Sequence, residues 1–494
     1  MPLKNFFGVN AFEWDFEDPA NAIALDSTRL SLISNFTGIR HYMDWEKIEP
    51  EEGHYTFCPV RSGGWNYDTI YTWCKANNIE VLACIKACPG WLLSGYPENE
   101  RDNENVPVRY GKDFNDPVSY LEQARAAFQY AARYGYNKNI SASLVHVDAT
   151  PRWTADRINQ PLTGMGLISY IECDNERDKW WKGDKAHQNG RQYAANLSAF
   201  YDGNKGKMGP GVGVKNADPN MKVVMSGLAK ADVQYIKDMI AWCKENRGMR
   251  PDGTIDMPWD IINYHYYSND GDGMGNHQTT GMAPERSNAE AVANSFVAMA
   301  HQMAHDMPVW ITEAGYDINQ ESVQKAIRIG DKSELITQAD WILRTSLLYS
   351  RAGIQKVFYY ELDDDNAQSG TRYATSGFVS PSKTPRASAS YLYQANQLFG
   401  SYTYVSSLSS EPVVDKYMFN NSAMYVLLIP DQKGRTVDYQ LTTAGDTAYV
   451  YTPKKDGRQM MLEKKKIIQG KVDVNVTETP VFVTSTFIDP VQKI

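Results

Sequence analysis

The chain has 494 residues, 42% hydrophobic and 22% charged, which is ordinary for a globular protein. Its 50 Lys and Arg against 59 Asp and Glu leave a net charge of −9, which argues against a nucleic-acid partner, since phosphate binding needs a basic face. The longest apolar runs, such as Tyr425–Ile429, are strand-length, far short of the ~20 residues of a membrane span. One count is unusual: 31 Tyr, 12 Trp and 16 Phe make 12% aromatic, with Tyr well ahead of Phe. Tyr and Trp combine a flat apolar face with a polar handle, so the excess hints at a surface that grips something flat.

From residue 5 to about 400 one unit repeats: a short run rich in Val, Ile, Tyr and Phe, a loop, then an amphipathic helix. Eight strands are expected, at Phe6–Val9, Ile39–Met43, Val81–Ile85, Leu167–Glu172, Val223–Ser226, Ile261–His265, Val309–Thr312 and Val357–Tyr360. Most are continuous apolar runs, as strands buried on both faces of a parallel sheet should be. Helices are expected at Tyr67–Asn77, Pro117–Tyr134, Val233–Asn246, Ala289–His305, Thr337–Arg351 and Ala389–Phe399. Asp116 and Asn288 are the expected N-caps. Eight such units in order predict an α/β fold, a closed (β/α)8 TIM barrel over 1–400. The open doubly wound alternative is disfavoured, because no G-x-G-x-x-G follows the first strand.

After Gly400 the texture changes to short runs separated by turns, with Asp431-Gln432-Lys433-Gly434 and Lys455-Asp456-Gly457 expected as hairpin turns. Residues 401–494 are therefore expected to form a smaller antiparallel β-sandwich domain, packed rigidly because no Pro/Ser linker precedes it. The six cysteines (Cys58, Cys74, Cys84, Cys88, Cys173 and Cys243) lack zinc spacing and read as reduced, buried residues. No apolar leader is visible at Met1–Asn5, which leaves two compartments open: cytoplasmic, or secreted or periplasmic after removal of a leader.

A barrel carries its chemistry where strands end and βα loops begin. Those positions hold Asn10, Glu13 and Trp14; Arg40, His41 and Trp45; Lys86 and Trp91; Asp174, Asn175 and Glu176; His265, Tyr266 and Tyr267; Glu313; and Glu361 with Asp363–Asp365. Glu176 and Glu313 stand out, each at the exit of a buried strand on non-adjacent strands 4 and 7. Two carboxylates facing across a barrel mouth suit glycosidic bond cleavage, one protonating the leaving oxygen and one attacking the anomeric carbon. No His-x-His and no ligand-spaced set is present, so no metal or cofactor is expected. The acidic run Asp363–Asn366 and Asn269–Gly273 read as solvated loops, not calcium loops.

The chain resembles the clan A glycoside hydrolases, whose catalytic Glu residues end strands 4 and 7. Asn175-Glu176 matches their acid/base setting and Thr312-Glu313-Ala314-Gly315 their nucleophile setting. Arg40 in Ile39-Arg40-His41-Tyr42, the pair His265 and Tyr267, and Pro89-Gly90-Trp91 (as in the family 39 and family 30 members) are also similar. At strand 8 the chain departs, with Tyr359-Tyr360-Glu361 where a Trp is common. The resemblance implies a retaining mechanism with Glu176 as acid/base and Glu313 as nucleophile. It also implies Asn175 on the sugar 2-OH, Arg40 and Tyr267 on Glu313, and His265 in the same subsite. Trp91 and Trp181 are candidate sugar platforms. The implied partner is a carbohydrate substrate, a polysaccharide or oligosaccharide of xylan, glucan or galactan type, and a monomer is compatible with it. The alternatives are a carbohydrate-binding barrel without turnover, and a lyase or aldolase for which Lys86 is the only candidate lysine. The insertions 88–115, 177–190, 268–287 and 363–387 should wall the cleft, while 136–166 precedes strand 4 on the other side.

Overall fold

A computed structural model describes residues 1–18, 21–57, 65–150, 159–271 and 279–489. Eight parallel strands form the central sheet: β1 (Gly8–Asn10), β2 (Gly38–Asp44), β3 (Glu80–Lys86), β4 (Tyr170–Cys173), β5 (Lys222–Met225), β6 (Ile262–His265), β7 (Val309–Glu313) and β8 (Lys356–Tyr359). Their order is β5-β4-β3-β2-β1-β8-β7-β6, and the bridges Val224–Ile261 and Leu228–Tyr264 join the two edges into a barrel. The strands are almost wholly buried, which is why most of them read as apolar runs, with Arg40 and His41 of β2 and Glu172 of β4 among the exceptions.

The main helices are α1 (Ser27–Ile33), α2 (Tyr67–Ala76), α3 (Leu121–Tyr134), α4 (Gly190–Asp202), α5 (Val233–Asn246), α6 (Ala289–Met303), α7 (Glu334–Arg351) and α8 (Ala387–Phe399). Two of them, α1 and α4, were not expected from the sequence. A capping box announces α4: Asn189 accepts from the Gln192 N–H and Gln192 from the Asn189 N–H, both at 3.0 Å. The expected long helix over Pro117–Tyr134 is a 3-10 turn at Pro117–Tyr120 followed by α3, with Asp116 capping the turn. Asn288 does not cap α6; the Ser287 hydroxyl accepts the Ala289 N–H instead, at 3.1 Å.

Inside the barrel, Leu82, Val224, Ile261, Trp310 and Phe358 form a buried apolar plug. Above it the lining turns polar with Asn10, Arg40, Glu172, Asn263 and Thr312, all at 0% exposure. A groove of about 980 Å³ lies at the other end, among Gly8, Gly38, Glu80, Lys356 and Arg458, away from those groups.

The chain then makes β9 (Thr403–Ser410), β10 (Val413–Phe419), β11 (Ser422–Leu428), β12 (Val437–Thr442), β13 (Thr447–Thr452), β14 (Met461–Lys466), β15 (Lys471–Val476) and β16 (Val481–Thr484). A six-stranded sheet, β9-β10-β11-β16-β13-β14, faces the pair β12-β15 across a core including Leu427, Val450, Val483, Leu441 and Val474. Lys455–Gly457 lies in the hairpin between β13 and β14. Asp431–Gly434 is not a hairpin turn: it carries the chain from one sheet to the other, because β11 pairs with β16 and β12 with β15.

Cys74, Cys84, Cys88, Cys173 and Cys243 are buried thiols, and Cys58 lies outside the described residues. The described residues of the segment 136–166 run along the barrel side. Its Asp148 N–H donates to Tyr55 O at 2.8 Å, and its Leu144 and Gln160 carbonyls accept from Gln129 and Arg133 of α3 at 2.8 and 2.6 Å. Residues 151–158 within it, and 272–273 of the Asn269–Gly273 loop, lie outside the described residues.

Candidate active site

Strand alternation sets the first charges. On β2, Arg40 and Tyr42 face the barrel interior, while His41 between them meets Tyr71 at 2.8 Å outside it. Arg40 is fully buried and grips Glu172 of β4 with two bonds, 2.6 Å from Nε and 3.0 Å from Nη2. The same guanidinium donates to Glu313 Oε1 at 2.8 Å, Asn175 Oδ1 at 2.8 Å and Asn10 Oδ1 at 3.1 Å. A buried planar fork of five donors is the group that can hold four partners at once. Glu172 is completed by Asn263 Nδ2 at 2.9 Å and the Gly227 N–H at 3.1 Å.

After β4 the backbone turns sharply. Asp174 and Glu176 have φ of 68° and 50°, a left-handed conformation unusual for residues with a side chain. The turn is held from three sides. Glu176 N–H donates to Gly227 O at 3.2 Å. Buried Arg177 pairs with Asp174 at 3.2 Å and donates to Gln188 and Ala186 O. The Asp178 carboxylate accepts the N–H groups of Ala229 and Lys230 at 2.9 and 2.8 Å.

Glu176, His265 and Glu313 meet at the mouth, one ligating atom of each within 4.8 Å of the others. His265 Nδ1 lies 2.9 Å from Glu176 Oε1 and 3.5 Å from Glu313 Oε2, and its Nε2 is 3.0 Å from the Thr312 hydroxyl. The ring reaches this position because residue 227 is glycine: a Cβ there would lie 1.9 Å from His265 Nε2. Glu313 receives Arg40 and Tyr42 on Oε1 and Tyr267, at 2.9 Å, on Oε2.

These contacts set the protonation states. Burial alone would raise the Glu313 carboxyl, but His265, Arg40 and the Tyr42 hydrogen bond together hold it below the usual carboxylate range. Burial alone would lower His265, but Glu313 and Glu176 raise it above an ordinary imidazole. Burial first, and Glu313 next, push the phenols of Tyr42 and Tyr267 up, so both remain donors. Glu176, His265 and Glu313 are also the only group of three among the described residues able to close around a metal ion. A cation there would meet the Arg40 guanidinium already salt-bridged to Glu313, so the donor set suits proton chemistry better than metal chemistry.

Of the residues singled out in the sequence, Arg40, Asn175, Glu176, His265, Tyr267 and Glu313 come together in one constellation. Trp91 and Trp181 do not touch it. Trp91 packs edge-on against Trp45 at 5.5 Å and donates to Glu49 O at 2.9 Å. Trp181 is 50% exposed and packs only edge-on against Trp180 among the described rings. The run Asp363–Asn366 is not simply solvated: Asp363 pairs with Lys383, and Asp364 makes a nearly buried pair with Arg386. Near β8, Tyr360 packs with Tyr373 at 5.9 Å, and Tyr373 with Tyr267 at 4.8 Å. The Tyr360–Glu361 peptide is cis.

Sequence reasoning missed Glu172, Tyr42, Thr312, Asn263 and Gly227. A signal existed for two of them: a Glu inside the apolar run Ile171-Glu172-Cys173, and Tyr42 two residues beyond Arg40 on the same strand face. Nothing local marked Gly227.

No protein-family model matches the chain, and no curated protein matches it in sequence. Solved structures do match in fold. A family 39 glycoside hydrolase from Bacteroides cellulosilyticus aligns with a TM-score of 0.63 at 16% identity, over 98% of this chain and 81% of that one. A GH30 endoxylanase from Clostridium papyrosolvens aligns at 0.56 and 12% identity, over 98% and 96%. A family 51 α-L-arabinofuranosidase from Bifidobacterium longum aligns at 0.53 and 11% identity, over 98% and 97%. The barrel and the antiparallel sheets after it are matched together, and the chain has the fold of the clan A glycoside hydrolases.

Proposed function

We propose that the protein is a retaining glycoside hydrolase that cleaves β-glycosidic bonds in a polysaccharide of xylan, glucan or galactan type, or in its oligosaccharides. In this reading residues 1–400 are the catalytic unit and 401–494 an accessory one. The observation that carries it is the unequal pair: carboxylate oxygens of Glu176 and Glu313 within 4.8 Å, with only one of the two surrounded by donors. That spacing suits the ~5–5.5 Å of retaining enzymes and leaves no room for the water that inverting enzymes seat between carboxyls ~6.5–9.5 Å apart.

The roles follow from the surroundings. Glu313, held ionised by Arg40, Tyr42 and Tyr267, attacks the anomeric carbon and forms the glycosyl ester. Glu176, more open to solvent (21% of its side chain exposed against 8%), gives its proton to the leaving oxygen and later takes one from water. His265 Nδ1 faces both carboxylates, so the charge on the ring couples the ionisation of one to that of the other. Asn175 has its oxygen on Arg40, so its amide hydrogens are the end left for the sugar 2-OH.

The test is chemical rescue on aryl β-glycosides. Glu313→Ala should lose activity by on the order of 10⁴-fold or more and regain it with azide, yielding the α-glycosyl azide. Glu176→Ala should yield the β-glycosyl azide. An active Glu313→Ala enzyme, or the two azide products exchanged, overturns the assignment. A carbohydrate-binding barrel without turnover would show wild-type protein that binds oligosaccharides and releases no product.

A further inference from the structure

A line of aromatic rings leads away from Glu313. Tyr42, whose hydroxyl donates to Glu313, packs against Phe12 with ring centroids 5.6 Å apart. Phe12 stacks on Trp14 at 4.8 Å and 21° between planes, and Trp14 meets Trp65 edge-on at 6.3 Å. Burial falls along this line: Phe12 is 9% exposed and Trp14 46%. Trp14 thus stands half-exposed at the outer end of a line of rings that starts on the carboxylate pair.

The line is also fixed in place. Asp15 accepts the Phe12 N–H at 2.8 Å, and Arg29 donates to the Trp14 carbonyl. Lys47, 5.5 Å from the Trp14 ring centre, is itself tied to buried Glu13 at 2.9 Å and to Asp44 at 3.5 Å. So Trp14 stands on a braced turn rather than a loose loop, with charged hydrogen-bonding groups beside it. Phe12 stacks on the indole and Lys47 lies over it, so the half-exposed remainder of the ring, beside hydroxyl-binding groups, is the surface offered to a pyranose, which has C–H faces and a hydroxyl edge.

The direction follows from the catalytic pair. Glu176 must touch the leaving oxygen, so the departing part of the substrate lies over the loop after β4, which carries Trp180 and Trp181. The retained sugar lies over Glu313, and the chain beyond it runs toward the turn after β1. We propose that Trp14 forms a subsite for the second sugar on the retained side, so that the enzyme prefers chains extended beyond the sugar that bonds to Glu313. This rests on the hydrolase reading above and adds to it that a lone terminal sugar is a poor substrate. Remote binding of this kind is expressed partly in the chemical step, so shortened substrates should lose kcat as well as affinity.

The experiment compares aryl β-glycosides carrying one, two or three sugars of the type the wild type hydrolyses, the aryl group always being the leaving group. Wild type should show a large rise in kcat/KM from one sugar to two. In Trp14→Ala the ratio of the two-sugar to the one-sugar kcat/KM should fall about ten-fold, and Trp14→Phe should recover part of it. In Trp181→Ala, on the leaving side, that ratio should hold. An unchanged ratio in Trp14→Ala, or an equal loss on both substrates, overturns the subsite. Wild type inert on every glycoside of the panel overturns the hydrolase reading instead. Calorimetric titration of Glu176→Gln with cellotetraose, xylotetraose and a β-linked galactotetraose gives a second readout, in which adding Trp14→Ala should weaken whichever tetraose binds; undiminished affinity, or no binding of any of the three to Glu176→Gln, overturns the proposal.

Discussion

At the scale of single residues, the site depends on how many donors each carboxylate has. Glu313 is the ionised member because Arg40, Tyr42 and Tyr267 all donate to it. In the proposed mechanism its lowered pKa means that the nucleophile's carboxylate is lost only as pH falls through that low value, which would set the acid limb of kcat/KM. Removing one donor should raise the Glu313 pKa. Tyr42→Phe is therefore expected to move the acid limb to higher pH and lower the maximum by about ten-fold, with the alkaline limb in place. A pH profile of kcat/KM on an aryl glycoside checks it; a limb that stays put means Tyr42 does not tune Glu313.

At the scale of elements, the strands were legible and the turns were not. A parallel strand covered on both faces must be apolar throughout, so β2, β3, β6 and β7 announce themselves, and their ends locate Glu313 and His265. Asn175-Glu176 was legible as a strand exit, but the left-handed φ that aims Glu176 was not, since Gly227 and the partners of Arg177 and Asp178 (Ala186, Gln188, Ala229 and Lys230) hold it from further along the chain. Glu172 was passed over because a carboxylate inside a strand makes sense only once Arg40, 132 residues earlier in the chain, is placed beside it. Gly227 shows the same dependence. It needs no special φ; its lack of a Cβ matters only because His265 lies over it. Gly227→Ala should push the His265 ring off Glu176, lower kcat about 100-fold and cost about 1–3 kcal/mol of stability. Thermal melting beside steady-state kinetics separates the two effects, and wild-type values for both would show that the ring has room to spare.

At the scale of the whole molecule, α7 binds the barrel to the sheets that follow it. Fourteen of its residues are buried. Fully buried Arg344 pairs with Glu285 and donates to Asp431 O at 3.0 Å, Arg351 pairs with Asp415 at 2.8 Å, and Lys332 just before α7 pairs with Glu478 at 3.0 Å. The sequence expectation of a rigid junction rested on the absence of a Pro/Ser linker; the contacts that join α7 to the sheets lie beyond what composition could show. Removing one partner of a buried ion pair leaves an uncompensated charge, so Arg344→Ala should cost about 3–5 kcal/mol. Guanidinium unfolding followed by circular dichroism measures this, with a single transition expected for the wild type; two separated transitions in the wild type would show that the barrel and the sheets unfold independently.

The Arg40 fork has a consequence for how such a protein can change over generations. Glu176 can be replaced and leave little behind but an emptier cleft. Arg40 cannot, because its loss strands Glu172 without a counter-charge inside the barrel and takes one of two from Glu313. A descendant that stopped turning over substrate would therefore shed Glu176 first and keep Arg40 and Glu172 as ballast of the fold. Retention of that ion pair in a related chain speaks for ancestry, and in the proposed mechanism it is the residue after Asn175, together with Glu313, that speaks for work still being done.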